Sequence, residues 1–226
     1  MSTAPKFSRR TALMGAAALP LAAATATSAR AAAPMLGVAQ SNFRRVKVGN
    51  FEVTTLLAGT RAVENPHSIF GLNVDDETFG SVSADAGLST DAAQFFFTPT
   101  LVNIGSELVL FDTGLSGAGT VAAIEAAGYT ADQVDKVVIT HMHGDHIGGL
   151  SSDGTPTFTN AAYVTGATEF DAWAKADNEN FEGKVRPLAE QMTMNDDGAS
   201  PASGITALAT FGHTPGHMAY MVEEGG

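Results

Sequence analysis

The sequence predicts an α/β fold with strands buried on both faces. Three observations lead there. Apolar runs such as Val109-Leu110-Phe111 and Val137-Val138-Ile139 lack the polar alternation of a half-exposed strand, the mark of strands covered on both sides. Segments of helical character lie between the strands, an alternation that belongs to layered α/β domains. Histidines gather just after two of the strands, where open α/β layers place their working residues.

Arg44 to Val48 and Phe51 to Leu57 read as two short strands around Gly49-Asn50, a hairpin turn pair. Residues 58–93 carry scattered Gly, Asn, Pro and Asp and read as irregular, long enough to be a functional loop. Phe95 to Ile104 and Glu107 to Asp112 read as strands around Gly105-Ser106. Thr120 to Ala127 reads as a helix closed by Gly128 at the position that tolerates a left-handed backbone. Thr130 suits the cap of a short turn, and Val137 to Ile139 is a buried strand. Ala162 to Val164 reads as a strand and Thr168 to Lys175 as a helix; Phe181 to Met192 reads as a helix broken by Pro187. Ile205 to Thr210 enters the second histidine cluster as a strand, and Met218 to Val222 leaves it as another. The Phe95-Phe96-Phe97 run, Phe70, Phe79 and Trp173 read as core residues, since large aromatic rings favour burial.

The chain has 226 residues, 12 basic and 24 acidic groups, a net charge of −12 and no cysteine. The length suits one or two domains with a substantial core. The acidity argues against a nucleic-acid partner, which requires a basic face. The lack of cysteine excludes disulfides, thiolate metal sites and a cysteine nucleophile. The charge is unevenly spread. Residues 1–33 contain four bases and no acid, leaving eight bases against 24 acids and a net charge of −16 over 34–226. Ser8-Arg9-Arg10 precedes a mild, alanine-rich stretch from Thr11 to Ala29, and small residues follow. This is the layout of a secretory signal, and the paired arginines resemble a twin-arginine leader. Ala29-Arg30-Ala31 suits cleavage. Residues 1–33 are therefore expected to be the leader and 34–226 the mature domain, periplasmic or secreted, with no stable membrane anchor after cleavage. A twin-arginine route carries folded cargo, so a metal site would be loaded before export.

Five of the six histidines fall in two clusters. The first is His141-Met142-His143-Gly144-Asp145-His146, followed by Ile147-Gly148-Gly149. On an extended backbone residues i and i+2 point the same way, so His141 and His143 can grip one ion. Asp145 and His146 follow a turn at Gly144 and can face a second position. Imidazole and carboxylate groups suit Zn²⁺, Fe²⁺ or Mn²⁺. Three imidazoles and a carboxylate this close would repel and desolvate one another without a cation. The second cluster, Gly212-His213-Thr214-Pro215-Gly216-His217, can add one more imidazole and leave an open coordination position. His67 has no neighbouring ligand and reads as an ordinary hydrogen-bonded residue.

These two motifs, with Leu110-Phe111-Asp112-Thr113-Gly114, resemble the metallo-β-lactamase-fold hydrolases. The likeness runs from about Arg44 onward. Val46 to Val53 and Ala126-Ala127-Gly128-Tyr129 are similar to the exported branch that contains methyl parathion hydrolase and acyl-homoserine lactonases. The resemblance implies an αββα sandwich, with the N-terminal half and the start of the second half present. It implies two divalent metal ions, zinc first, with iron or manganese as alternatives. By position, His141, His143 and His213 match the ligands of the first ion, and Asp145 and His146 match ligands of the second. Asp145 would also orient the nucleophile and shuttle its proton. Asp112 matches a carboxylate that hydrogen-bonds the ligand loop, and His217 a residue that supports the site from behind. The implied activity is attack by a metal-activated hydroxide on a lactone, ester or organophosphate, all small molecules. Family members supply a bridging aspartate and a last histidine further on. Here Glu223-Glu224-Gly225-Gly226 is turn chemistry directly after a strand, so the chain is expected to be a fragment whose second ion is held weakly. Three rival readings are a mononuclear iron oxygenase of the persulfide dioxygenase kind, an amidohydrolase barrel, and a non-catalytic metal-binding fragment. The short chain and the second cluster count against the barrel. A homodimer is left open.

Overall fold

The computed structural model describes residues 41–224; the leader expected over 1–33 lies outside the described residues. Phe43–Val48 (β1) and Phe51–Leu56 (β2) form the expected antiparallel hairpin, turning at Gly49 with φ +59°. Gly59–Glu64 (β3) then leads through a 3-10 turn to Asp76–Asp85 (α1), and Ala92–Phe97 (β4) returns to pair antiparallel with β3. The expectation of an irregular 58–93 is thereby corrected. The strand β3 is mostly solvent-facing and is held by ladder bonds to β4 rather than by an apolar face. The helix α1 buries only Ser83 and starts on Asp75, whose carboxylate accepts from Thr78 N–H at 2.9 Å. Elements with so little apolar patterning leave little periodic signal.

Phe95 to Ile104 also proves to be two strands. The chain breaks at Thr98-Pro99, where proline offers no N–H, and Thr100–Asn103 (β5) joins a different sheet from β4. Next come Leu108–Phe111 (β6), Gly117–Ala126 (α2), Lys136–Ile139 (β7) and the single turn Gly144–Ile147 (α3). Helix α2 starts earlier than expected, because Ser116 caps it by accepting from Gly119 N–H. Ser151–Ser152 (β8) and Thr155–Pro156 (β9) form a small hairpin. Ala162–Gly166 (β10), Ala167–Trp173 (α4) and Glu179–Lys184 (α5) follow. Pro187 confines the rest of the expected second helix to a 3-10 turn over Arg186–Gln191, and the chain enters Met192–Asn195 (β11). Ile205–Ala209 (β12) and Met218–Val222 (β13) close the described chain as an antiparallel pair.

The main sheet has seven strands in the order β1-β2-β5-β6-β7-β10-β11. The first four pair antiparallel, and β6, β7, β10 and β11 run parallel. Both faces are covered, as the continuous apolar runs require. Leu101, Leu110, Val137, Ile139 and Tyr163 point to one side and pack with Ile124, Ile147 and Phe181 of the helices. Val102, Val109, Phe111, Val138 and Val164 point to the other side and pack with Ile205, Tyr220 and Val222 of the β12–β13 pair. The rings of Phe111 and Tyr220 sit 5.2 Å apart across this second interface. The described layers are thus helix, sheet, sheet, in keeping with the α/β expectation. Among the described residues no helix is long and apolar enough to cross a membrane.

Candidate metal centre

Three neighbouring parallel strands end at the same edge, and each delivers a polar residue there. After β6 comes Asp112, after β7 come Thr140 and His141, and after β10 comes the first turn of α4. This is the carboxyl edge at which α/β sheets carry their sites.

Asp112 has φ +59°, an uncommon backbone for a residue with a side chain. Its carboxylate accepts from Thr140 N–H and Thr140 Oγ1–H, both at 2.9 Å, and from His146 Nδ1 at 2.8 Å. Thr113 N–H and Oγ1–H both donate to the His146 carbonyl at 2.8 Å. The Asp-Thr segment therefore holds the whole first histidine loop. The loop lies so close that a Cβ on Gly149 would collide with the Thr113 carbonyl oxygen.

Thr140 Oγ1 gives its proton to Asp112, so at 3.0 Å from His141 Nδ1 it acts as acceptor. This network assigns the proton of His141 to Nδ1 and leaves its Nε2 lone pair facing inward. His141 Nε2, His143 Nδ1 and His213 Nε2 form an equal triangle with every side 3.1 Å. Two donors on one tetrahedral ion at ~2.0–2.1 Å stand about 3.3–3.4 Å apart. The triangle therefore fits a single divalent ion, and these three residues are the described group with that geometry. Burial, then the nearby His146, His143, His213 and His217 rings, lowers His141 to about 3. Burial and then His213 also lower His143. Both imidazoles are neutral at pH 7, the form that binds metal.

Asp145 and His146 are not part of this triangle but stand beside it. Asp145 Oδ2 is 3.5 Å from His146 Nε2, long for a hydrogen bond and close to the spacing of two donors on one ion. Burial opposes a charge on His146, but its hydrogen bond to Asp112 and the neighbouring Asp145 carboxylate outweigh that and raise it to about 9. The same His146 contact, against the cost of burial, holds Asp145 down at about 2. His217 also lies outside the triangle. Its Nδ1 is 2.7 Å from Thr210 Oγ1, and its ring is 5.0 Å from that of His141. His67 is remote from the centre. It bridges Asp76 Oδ1 at 2.7 Å and the Gly71 carbonyl at 3.1 Å and stacks on Phe79.

A cavity of about 900 Å³ opens over the triangle. Phe70, Phe95 and Phe97 line it with Ile69 and Leu115, and Arg61, Lys184 and Asn180 supply polar groups. The core reading of those phenylalanines is corrected: β4 belongs to a two-stranded flap, so its inward rings face the cavity and Phe96 faces solvent. Trp173 is half-buried and presents an edge-on contact to His143 at 5.7 Å. Sequence reasoning missed Glu169. It lies on α4 and is fully buried, with its carboxylate between the two histidine loops. Its one trace in the sequence is a place one turn before Trp173, on the same helix face.

Comparison with known proteins agrees with this architecture. The Metallo-beta-lactamase superfamily profile matches residues 98–226. Ribonuclease Z of Pyrococcus furiosus is 45% identical over 51 residues, covering 23% of this chain and 16% of that protein. An N-acyl homoserine lactonase of Bacillus thuringiensis is 28% identical over 103 residues, covering 46% of this chain and 38% of the lactonase. The chain thus spans less than half the length of these curated relatives. Among solved structures, AidC, described as a dizinc quorum-quenching lactonase, superposes with a TM-score of 0.73 at 21% identity, covering 82% of this chain and 71% of AidC. The hydrolase AbOPH gives 0.71 at 24% identity, covering 84% and 72%. Both share the fold. The family match takes in Asp112 and both histidine clusters, and it extends over more than half of the sequence: the chain belongs to the metallo-beta-lactamase superfamily.

Proposed function

We propose that the protein is a metal-dependent hydrolase of small lactones, esters or organophosphate triesters. The observation that carries this reading is the triangle of three inward-facing imidazole nitrogens on the floor of a mostly apolar cavity. His141, His143 and His213 would hold the first divalent ion, and Asp145 with His146, whose ring would release its Nε2 proton on binding, would contribute to a second. Zinc is the first candidate, with iron or manganese as alternatives. Such an ion supplies a water acidic enough to ionise near neutral pH and an electrophile for the substrate oxygen.

The chain's own residues do the rest. Asp145, ionised at neutral pH, accepts a proton at its carboxylate and orients the attacking water. Phe70, Phe95, Phe97, Ile69 and Leu115 exclude bulk water and receive the apolar part of a substrate. Arg61 and Lys184 bring positive charge to the wall of a strongly acidic protein, suited to the carboxylate or phosphate that hydrolysis releases. The lactonase relative supports the lactone class. The basic, acid-free leader supports export through the twin-arginine route to the periplasm or beyond.

The test is a panel of a lactone, a phosphotriester and a β-lactam, run with metal analysis on wild type and His143→Ala. Expected is turnover of the lactone or phosphotriester, with metal and activity lost together in the variant. Full activity with unchanged metal content in His143→Ala would reject the assignment.

A further inference from the structure

The two loops that meet at the triangle are 70 residues apart in sequence, and each carries its ligands on irregular backbone. The first loop is fastened to the sheet by Asp112 and Thr113. The second has no such anchor in the Asp-Thr-Gly segment. Just past it, Met218 N–H donates to the Thr140 carbonyl, next to His141, at 3.0 Å; between the ligand-bearing segments themselves the tie is Glu169. Its Oε1 accepts from Met142 N–H, between His141 and His143, at 2.9 Å. Its Oε2 accepts from Thr214 Oγ1–H at 2.7 Å and Gly216 N–H at 2.9 Å, on either side of Pro215 and just after His213. Among the described residues, no other side chain outside the loops hydrogen-bonds both. The approach is close: a Cβ on Gly216 would collide with the Glu169 backbone nitrogen. Among the described residues Glu169 has no cationic partner, and its two oxygens are satisfied by donors from the two loops.

We propose that Glu169 is a positioning residue that sets the register of the His213 loop against the His141-His143 loop and thereby the metal affinity of the triangle. This rests on the three-histidine metal reading. The geometry is demanding, because one ion requires all three nitrogens about 3.3–3.4 Å from one another, and here they stand 3.1 Å apart. A slip of one loop by a fraction of an ångström opens two of the three sides at once. A plain packing role for Glu169 would be met by any side chain of equal volume. The positioning role needs acceptors at both ends.

Glu169→Gln separates the two. The amide keeps the size but replaces one oxygen by a donor. Facing Met142 N–H, that donor breaks the tie to the first loop. Facing the second loop, it can be accepted by a rotated Thr214 hydroxyl, but Gly216 N–H then loses its partner. Either orientation orphans one backbone N–H.

The experiment measures zinc affinity of the full 226-residue chain by competition with a chromophoric chelator, and the visible spectrum of the Co²⁺-loaded protein. Glu169→Gln is expected to weaken zinc binding about 10–100-fold and to change the Co²⁺ bands, with the far-UV circular dichroism of wild type retained. A folded Glu169→Gln protein that binds zinc within twofold of wild type overturns the proposal. If that variant does not fold, Thr214→Val removes one donor at equal volume; a three- to tenfold loss, about the value of one hydrogen bond, supports the proposal, and unchanged affinity overturns it. Wild-type protein that binds no zinc overturns the metal reading itself, and this proposal with it.

Discussion

Asp112→Asn tests how the ligand loop is held, and its consequence can be worked through atom by atom. Asparagine tolerates the left-handed backbone at this position, so strain is not added. The change acts on protons. With the amide oxygen kept toward Thr140 N–H, the amide nitrogen takes the place of Oδ2 and donates to Thr140 Oγ1. The Thr140 hydroxyl must then turn its proton toward His141 Nδ1, and the His141 proton moves to Nε2, where it points into the triangle. At the same time His146 Nδ1 loses its acceptor. The expected loss of metal affinity is about 10–100-fold.

A second readout is stability of the chelator-stripped protein. Burial disfavours the charged ring of His146, and the hydrogen bond to Asp112 with the nearby Asp145 carboxylate overcomes this, raising it from 6.5 to about 9. That rise corresponds to about 3 kcal/mol of preference for the charged form. The His146 side chain is 28% exposed, and solvent screening reduces the usable part to about 1–2 kcal/mol. Because the folded value lies above the unfolded one, the contribution is complete below pH 6.5 and is lost as pH rises through about 9. Urea unfolding of stripped wild type should therefore show a fall of about 1–2 kcal/mol across that window, and Asp112→Asn should show less than half of it. Wild-type zinc affinity in the variant, together with an unchanged pH slope, would refute the reasoning.

Two further outcomes follow from the same contacts and from the proposed leader. Gly149→Ala should destabilise the protein by about 1–3 kcal/mol in urea unfolding, because its methyl group meets a backbone carbonyl that cannot move without displacing the first loop; an unchanged midpoint would show that the loop is slack. Replacing Arg9 and Arg10 by lysine should leave precursor in the cytoplasm on cell fractionation, while unaltered export would remove the twin-arginine assignment.

Much of the centre was legible because its chemistry is local. His141 and His143 share a side of an extended segment whatever surrounds it, and Asp145 and His146 follow after one turn. Val109 to Phe111 and Val137 to Ile139 declared strands buried on both faces, and the structure covers them with helices on one side and the β12–β13 pair on the other. The flap was not legible. In β3 and α1 almost every side chain is exposed, so pairing and capping hold them and no periodicity reports them. The phenylalanines of β4 carry the same alternation whether their inner face meets a core or a cavity, and only the break at Pro99 sends them to the cavity.

What the sequence determined by itself was therefore a set of candidate donors: which side chains offer lone pairs, on which strand ends, in an acidic chain without cysteine. What only the tertiary structure decided was their meeting. His213 reaches His141 across 72 residues at 3.1 Å, and Glu169, which reads as an ordinary helical glutamate, is buried between the two loops. Local pattern reports how a segment presents its own faces; which surfaces then close on one another is set by the packing of the whole sheet, and a buried carboxylate acquires its role from donors that arrive from elsewhere in the chain.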